Sequence, residues 1–527
     1  MRTDKETGRG VWAKNPYRPG DVLMTTRPYI SVLSTHNLSS YCSACFGPAP
    51  PSGLKRCTQC RTIHYCSAAC QTRDWTLHKR ECPALQDWAK ASPNAESLVP
   101  SDAVRSLARI LWGKQKKGLD SIWSKEIDAL QSHRKSLQPE SFEVHAHLSH
   151  ALVLFLGLSS PEDLGPFGIH SAGDLVDLVS RFITNTFTIA TPSLTPLGAC
   201  VSPLIALINH SCEPHAVVVF PRTSPASAQN EPAMQLIAIR PILPDQEVLI
   251  TYVDITLPRP QRRKTLKETY HFVCNCSLCS NLTNTDPRDV LQCPKRCGGT
   301  CPIPTEENNI TRCTSCKAGL TTVDEVLDAV RIGEEALAKA TALQSQDPVK
   351  AKQLTTKLIP ILTSAGLLPS AHPLLALSRL HQTLLLSSLP DSLTQDALDD
   401  VICAATRSSA GLNDVLLYGH PSRGICLAEL GKLLAADEPQ PKEQPKSQAE
   451  AALVYPPSGP KRLKLALDTL IRARSELMVG FGAVNEGGEV GKEVRESIVA
   501  LEKELGVWKQ GIRNVVEDMP KPLRKPL

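Results

Sequence analysis

The sequence predicts a multidomain α+β protein. A β-rich part is interrupted by a zinc-binding module and a helical insert, continues into a second cysteine-rich region, and gives way to an α-helical C-terminal part. Three observations carry this reading. Short β-branched and aromatic runs bounded by turn residues recur through the first half. Cysteines cluster at two- and three-residue spacings. Beyond Thr321 apolar residues recur at the helical period.

The bulk numbers narrow the function. With 527 residues the chain holds roughly two to five domains. A net charge of +5 over this length is too weak to imply a nucleic-acid or membrane partner. No apolar stretch matches a membrane span, and Met1–Glu6 lacks the apolar core of a signal peptide. A reducing compartment, nucleus or cytoplasm, is therefore expected, and the 19 cysteines read as metal ligands before disulfides.

In chain order, Thr7-Gly8-Arg9-Gly10 allows a tight turn and close backbone approach to a ligand. Val22–Met24 and Tyr29–Leu33 read as short strands. Next come Cys42-x2-Cys45, Cys57-x2-Cys60, Cys66-x3-Cys70 and His78-x3-Cys82. Eight soft ligands are the number needed for two closed tetrahedral zinc sites, and zinc would supply the stability that so small a core lacks. Trp75, Arg73, Lys79 and Arg80 either form an interaction surface or cover the metal knot. From Leu85 to Arg181 the pattern is mainly helical, best at Ala103–Trp112 and Val144–Leu158. Phe182–Ile189 reads as a strand, and Ala216–Phe220 with Met234–Ile239 as a hairpin with a long loop. Before that hairpin stands Asn209-His210-Ser211-Cys212-Glu213-Pro214-His215, a polar cluster between apolar runs that is costly to bury without partners. Val248–Tyr252 is a further strand.

Cys274, Cys276 and Cys279 make an incomplete tetrahedral site, with Cys212 and Cys200 as thiols able to complete it. Cys293-x3-Cys297 and Cys313-x2-Cys316 suggest another zinc knuckle, in which Cys301 could replace one ligand. Arg262, Arg263, Lys264 and Lys267 read as a solvated helix face. Farther on, Val326, Val330, Gly333 and Leu337 share a helical face. So do Leu377, Leu380 and Leu384; Leu427, Leu430 and Leu434; and Val494, Ile498, Leu501, Leu505 and Trp508. Glu438–Pro460 reads as a proline-rich surface loop. Repeated helices suggest a bundle or a helix-pair solenoid of the tetratricopeptide kind.

The order of these motifs resembles the SET-and-MYND-domain protein lysine methyltransferases. The resemblance rests on the glycine-arginine-glycine turn, the Cys42–Cys82 array, Asn209–Pro214, Thr251-Tyr252-Val253-Asp254 and Tyr270-His271-Phe272-Val273-Cys274-Asn275-Cys276-Ser277-Leu278-Cys279. It implies a split SET fold with its N-terminal part at 1–41 and a MYND module at 42–82. A helical linker or insert at 83–181, core SET at 182–258 and a post-SET zinc region at 259–320 follow, then a tetratricopeptide-like helical domain at 321–527. Gly8, Arg9, Gly10, Asn185, Asn209 and His210 match residues that hold S-adenosylmethionine. Tyr252, Tyr270 and Phe272 match residues that also contact the cofactor and wall the methyl-transfer channel, and Tyr252 and Tyr270 are the residues that the resemblance places at the reacting amine. Cys42, Cys45, Cys66 and Cys70 match one MYND zinc, and Cys57, Cys60, His78 and Cys82 the other. Cys212 completes the post-SET zinc of Cys274, Cys276 and Cys279. Three zinc ions are expected, and a fourth if Cys293, Cys297, Cys313 and Cys316 bind one.

Two departures stand in the motif. Glu213 replaces the usual aspartate, and His215 the usual asparagine. The segment before Gly8 is short, so the expectation is a first strand that is missing or frayed, or a sequence that starts late. The implied reaction moves a methyl group to a lysine side-chain amine of a histone or another protein. The implied partners are a protein or peptide presenting that lysine and a peptide ligand of the MYND module. Two other classes stand against it. A catalytically silent SET/MYND scaffold should have lost Asn209, Tyr252 or the post-SET cysteines, and a zinc-finger nucleic-acid binder should show a basic patch with stacking residues.

Overall fold

The structure is a computed structural model. It describes residues 2–4, 8–91, 98–222, 231–280, 285–305, 310–390, 393–439 and 455–518, with side chains through 506. Thr7 and residues 440–454 of the proline-rich stretch therefore lie outside the described part, as does the side chain of Trp508. The chain forms two compact units. Unit 1 contains 1–253, 262–279 and 481–489, and unit 2 contains 254–261, 280–480 and 490–527. No described helix is long and apolar enough to cross a membrane.

Unit 1 is built on small sheets. Strands β1 (Arg2–Asp4) and β2 (Gly8–Gly10) form an antiparallel hairpin, so the described residues before Gly8 supply a first strand. Strands β3 (Val22–Thr26) and β4 (Ile30–Leu33) follow. The finger contributes β5 (Lys55–Arg56), β6 (His64–Tyr65) and the helix α1 (Ala68–Ala91), which runs unbroken past the last zinc ligand. Helix α2 (Asp102–Lys117) is held at its start by Ser101, whose hydroxyl accepts from the Val104 N–H. Its Leu107, Ala108 and Leu111 are fully buried in the main core. Helices α3 (Ile122–Asp128), α4 (Pro139–Leu156) and α5 (Ala172–Asn185) complete the insert.

The strand expected at Phe182–Ile189 begins later. Phe182–Asn185 is the last turn of α5, and β7 is Thr186–Ala190. Leu175, Leu178, Val179 and Phe182 form one buried stripe at the helical period, and that packing overrides the local β propensity. Strand β8 (Pro196–Val201) pairs between β4 and β7. Strand β9 (Asn209–His210) is followed by β10 (Ala216–Val219) and β11 (Met234–Ala238), which form the expected antiparallel pair, with β3 on the far side of β11. Strand β12 (Leu249–Ile250) pairs with β9 in parallel. Helix α6 (Arg259–Tyr270) and the short α7 (Ser277–Ser280) carry the chain through the Cys274–Cys279 loop. The cationic face expected on α6 is only partly solvated. Lys264 and Lys267 are exposed, but Arg262 is fully buried beside Leu266, because both lie on the inward stripe.

Unit 2 opens with a hairpin of β13 (Val290–Gln292) and β14 (Thr300–Pro302). Helices α8 (Val323–Leu343), α9 (Pro348–Ser364), α10 (Leu374–Ser387), α11 (Gln395–Val415), α12 (Pro421–Ala435) and α13 (Pro460–Gly480) follow, and each packs on its neighbours in sequence. This is a helical bundle with solenoid-like packing. Helices α12 and α13 approach closely because α12 carries glycines at the contact: a Cβ on Gly431 would stand 2.6 Å from Leu470 Cδ2. The last helix, α14 (Gly488–Asp518), buries Val494 and Leu501.

Candidate active site and metal centres

A tetrahedral zinc with Zn–S bonds of about 2.3 Å places its sulfurs roughly 3.8 Å apart. Among the described residues the structure gathers four clusters near that spacing: Cys42, Cys45, Cys66 and Cys70; Cys57, Cys60, His78 and Cys82; Cys212, Cys274, Cys276 and Cys279; and Cys293, Cys297, Cys313 and Cys316. Within each, all ligand atoms lie within 4.8 Å of one another. Cys45 and Cys66 sulfurs are 3.7 Å apart, Cys57 and Cys82 3.8 Å, Cys212 and Cys279 3.5 Å, and Cys297 and Cys313 3.5 Å. These separations are far longer than a disulfide bond of about 2.05 Å. Four thiolates so close repel one another unless a cation sits among them, so the donor sets fit zinc. Of the thiols that sequence alone left open, Cys212 joins the third cluster, while Cys200 lies buried in β8. Cys301 stands outside the fourth set.

His78 turns Nε2 toward Cys60 Sγ at 3.7 Å, and its Nδ1 lies 3.5 Å from Glu81. Glu81 is fully buried and accepts from Arg105 Nε at 3.0 Å and Arg109 Nε at 3.2 Å. These two arginines, on α2, also donate to the backbone carbonyls of Leu33 and Ser31 in β4. Asp74 accepts from Arg109 and from the Tyr65 hydroxyl at 2.7 Å. The two guanidiniums and the imidazole hold the Glu81 carboxyl well below the usual carboxylate range, overcoming the burial that opposes this. The second zinc ligand set is thereby wired into the sheet of unit 1. On the finger surface, Arg73 donates to Ala44 O at 2.8 Å and Trp75 packs edge-on to His78, so both serve the knot, although Trp75 is also half exposed.

A cleft of about 1280 Å³ opens in unit 1. That exceeds the roughly 300–1,000 Å³ of a single small-ligand pocket, so it has room for two reactants. Gly8, Arg9, Asn185, Asn209, His210, Tyr252, Tyr270 and Phe272 all line it. Gly10 stands just behind: a Cβ there would meet Glu247 Oε1 at 2.4 Å and Asn209 Nδ2 at 3.0 Å. Asn209 Nδ2 donates to Arg9 O at 3.1 Å and to Glu247 Oε1 at 2.8 Å. Arg9 in turn donates to Ala129 O at 2.6 Å, tying the β1–β2 hairpin to the end of α3. Asn185 Nδ2 donates to Gln131 O at 3.0 Å and Arg181 O at 2.7 Å.

The parallel pairing of β9 with β12 places His210 against Tyr252. The Tyr252 N–H donates to His210 Nδ1 at 3.0 Å, so the ring's proton sits on Nε2, which faces Cys212 Sγ at 3.4 Å. The imidazole thus bridges the cleft wall and the third metal cluster. The Tyr252 hydroxyl donates to Ile208 O at 2.6 Å. Tyr270 lies 4.9 Å from Tyr252 between ring centres, and Phe272 stands edge-on to Tyr252 at 6.5 Å. Burial pushes both phenols above their usual range, Tyr252 further through Tyr270 and Glu247 nearby. Both therefore remain protonated near neutral pH.

The two motif departures find partners. Glu213 accepts from Arg240 at 3.3 Å and from the Ser277 hydroxyl, joining the turn to the zinc loop. His215 lies 3.1 Å from Glu247 O and 3.2 Å from Gln246 Nε2. Sequence reasoning missed three cleft residues. Glu247 follows a turn and reads as surface charge. His133 and His271 come from distant segments, yet their rings lie 4.8 Å apart in the cleft wall. Burial holds both below the usual histidine range, with His271 adding to the effect on His133 and His145 to that on His271. The signal for His271 was its place between two wall aromatics.

The profile described as MYND finger matches residues 42–82. Among curated proteins, the chain is 28% identical over 289 residues to histone-lysine N-methyltransferase ASHR1 of Arabidopsis thaliana, covering 54% of this chain and 55% of that one. It is 32% identical over 282 residues to N-lysine methyltransferase SMYD2 of Gallus gallus, and 31% over 280 residues to that of Homo sapiens; each match covers 52% of this chain and 58% of the relative. The chain thus spans a little over half the length of the curated relatives it matches. The finger match, these relatives, and the order in which the motifs meet around one cleft make the chain similar to the SET- and MYND-type lysine methyltransferases.

Proposed function

We propose that the chain transfers a methyl group from S-adenosylmethionine to the side-chain amine of a protein lysine. The observation that carries this is the cleft wall of Tyr252, Tyr270 and Phe272 set against the Asn209–His210 turn. S-adenosylmethionine would supply an electrophilic methyl on a sulfonium. Gly8, Arg9, Gly10, Asn185, Asn209 and His210 would hold it, with Gly10 giving the backbone its close approach. Asn209 is oriented for this task because Glu247 and the Arg9 carbonyl fix its amide.

The lysine amine must arrive neutral to have a lone pair. The rings of Tyr252, Tyr270 and Phe272 suit the aliphatic stem, and the apolar channel disfavours the ammonium form. The Tyr252 phenol keeps its own proton, which is committed to Ile208 O. Its oxygen lone pair is then what it offers: an acceptor that turns the amine. Tyr252 is an orienting group rather than a base, and the lysine proton leaves to water. A silent scaffold would not need this preorganised set. A protein or peptide presenting lysine is the proposed partner; a separate peptide could dock on the finger.

Labelled methyl transfer to a protein array tests the reading. Zinc-replete protein should incorporate label, and Tyr252→Phe, which deletes one positioning hydrogen bond of ~1–2 kcal/mol, should lower incorporation about tenfold with cofactor binding retained. Absence of both cofactor binding and transfer in zinc-replete protein would favour the scaffold.

A further inference from the structure

The fourth cluster differs from the other three. Each of the first three has at least three buried ligands, whereas in Cys293, Cys297, Cys313 and Cys316 the second and fourth are exposed. The site is nonetheless built. Backbone N–H groups of Lys295 and Cys297 point at the Cys293 sulfur, and those of Ser315 and Cys316 at the Cys313 sulfur. Gly299 gives close approach: a Cβ there would stand 2.8 Å from Cys313 Sγ. Arg296 and Lys317 adopt left-handed backbone, at φ 50° and 60°, which bends each knuckle.

The cluster is also part of the helical unit's core. Cys293, Cys301 and Cys313 are buried in one group with Val326, Leu362, Leu367 and Leu374. The Gln292 N–H donates to Gly366 O at 2.8 Å, and Leu291 bridges Leu367. The metal knuckle therefore closes the open end of the α8–α9–α10 stack, where a helical array needs a cap.

We propose that this cluster holds a fourth zinc that caps the helical unit and that is releasable by oxidation of its two outward thiolates, Cys297 and Cys316. Zinc-bound thiolates remain nucleophilic, and access decides which is attacked. Attack of one thiolate on an alkyl hydroperoxide would give a sulfenic acid and an alcohol. The second thiolate then displaces water, forming the Cys297–Cys316 disulfide. The two sulfurs lose two electrons, the peroxide gains them, two protons go to the alcohol and water, and zinc leaves with its remaining ligands too few to hold it. This holds independently of the methyl-transfer reading.

Purified chain should contain four zinc ions by plasma mass spectrometry. Under graded tert-butyl hydroperoxide with a chromogenic zinc indicator, one zinc should appear at least tenfold faster than the rest. Peptide mapping should then find Cys297 joined to Cys316. Hydrogen exchange should rise in 290–302 and 358–374, and reductant with zinc should reverse it. Cys297→Ser/Cys316→Ser should count three zincs and lack the fast phase. A count of three in the unmodified chain, one common rate for all zincs, or first loss from Cys42–Cys82 or Cys212–Cys279 would overturn the proposal. Should the variant aggregate, mapping of the unmodified chain still decides.

Discussion

Glu81→Ala would remove the carboxylate that sits between a zinc ligand and two buried arginines. Arg105 and Arg109 are about 1% and 3% exposed, so neither can turn to water when its partner goes. Leaving buried charge uncompensated costs about 3–5 kcal/mol. Asp74 still compensates part of Arg109, which favours the lower end, ~3 kcal/mol. For a unit of this size each kcal/mol moves the melting point by about 2–4 °C, so the expected loss is on the order of 10 °C. His78 would also lose its orienting partner, and such losses weaken metal affinity about 10–100-fold. Differential scanning calorimetry gives the first quantity and competition with a graded chelator the second. Glu81→Gln, which keeps an acceptor but no charge, should fall between. An alanine variant melting within about 2 °C of the parent, with zinc retained at the same chelator concentration, would refute the claim that this network anchors the finger to the sheet.

Cys212→Ser should lower the zinc count by one and abolish transfer, while the two finger zincs stay bound; metal analysis with peptide-level thiol labelling checks this. Gly10→Ala places a methyl against Glu247 and Asn209, so cofactor affinity should fall at least tenfold by calorimetric titration with little change in melting. Burial pushes His372, His381 and His420 in unit 2 down to about 4 from an ordinary 6.5. Their folded values lie below the unfolded ones, so the stability of that unit is full above pH 6.5 and declines as pH falls toward 4. His420→Asn keeps the cap acceptor of α12 and should flatten that decline in pH-dependent melts.

What could be read from the residues was mostly local. A CxxC pair declares itself because both ligands come from one turn; three of the four candidate zinc sets are two such close pairs each, and the other is the Cys274–Cys279 triad plus one distant thiol, Cys212. The Asn209–Cys212 turn was legible for the same reason. What was not legible lay in charged residues whose surroundings come from elsewhere. Glu81 reads as surface on a helix until α2 supplies Arg105 and Arg109. Glu247 becomes a clamp for Asn209 only when β12 lies beside β9. Arg262 looked solvated because a cation gives no sign of which helical stripe turns inward. At Phe182 the local preference pointed to strand, and the burial of α5 against the core decided otherwise.

Residues 481–489 belong to unit 1. The Ala483 N–H donates to Gly20 O at 3.1 Å, and Asn485 Nδ2 donates to Gln235 Oε1 at 2.6 Å. During synthesis, therefore, unit 1 stays unfinished while the intervening helices emerge from the ribosome. At about 5–20 residues per second, the 201 residues of 280–480 hold that gap open for roughly 10–40 s. Unit 2 can fold within this interval. The β10–β11–β3 sheet of unit 1 receives these last contacts only when the chain is nearly complete, so a message truncated within the helices would yield a unit 1 that lacks them.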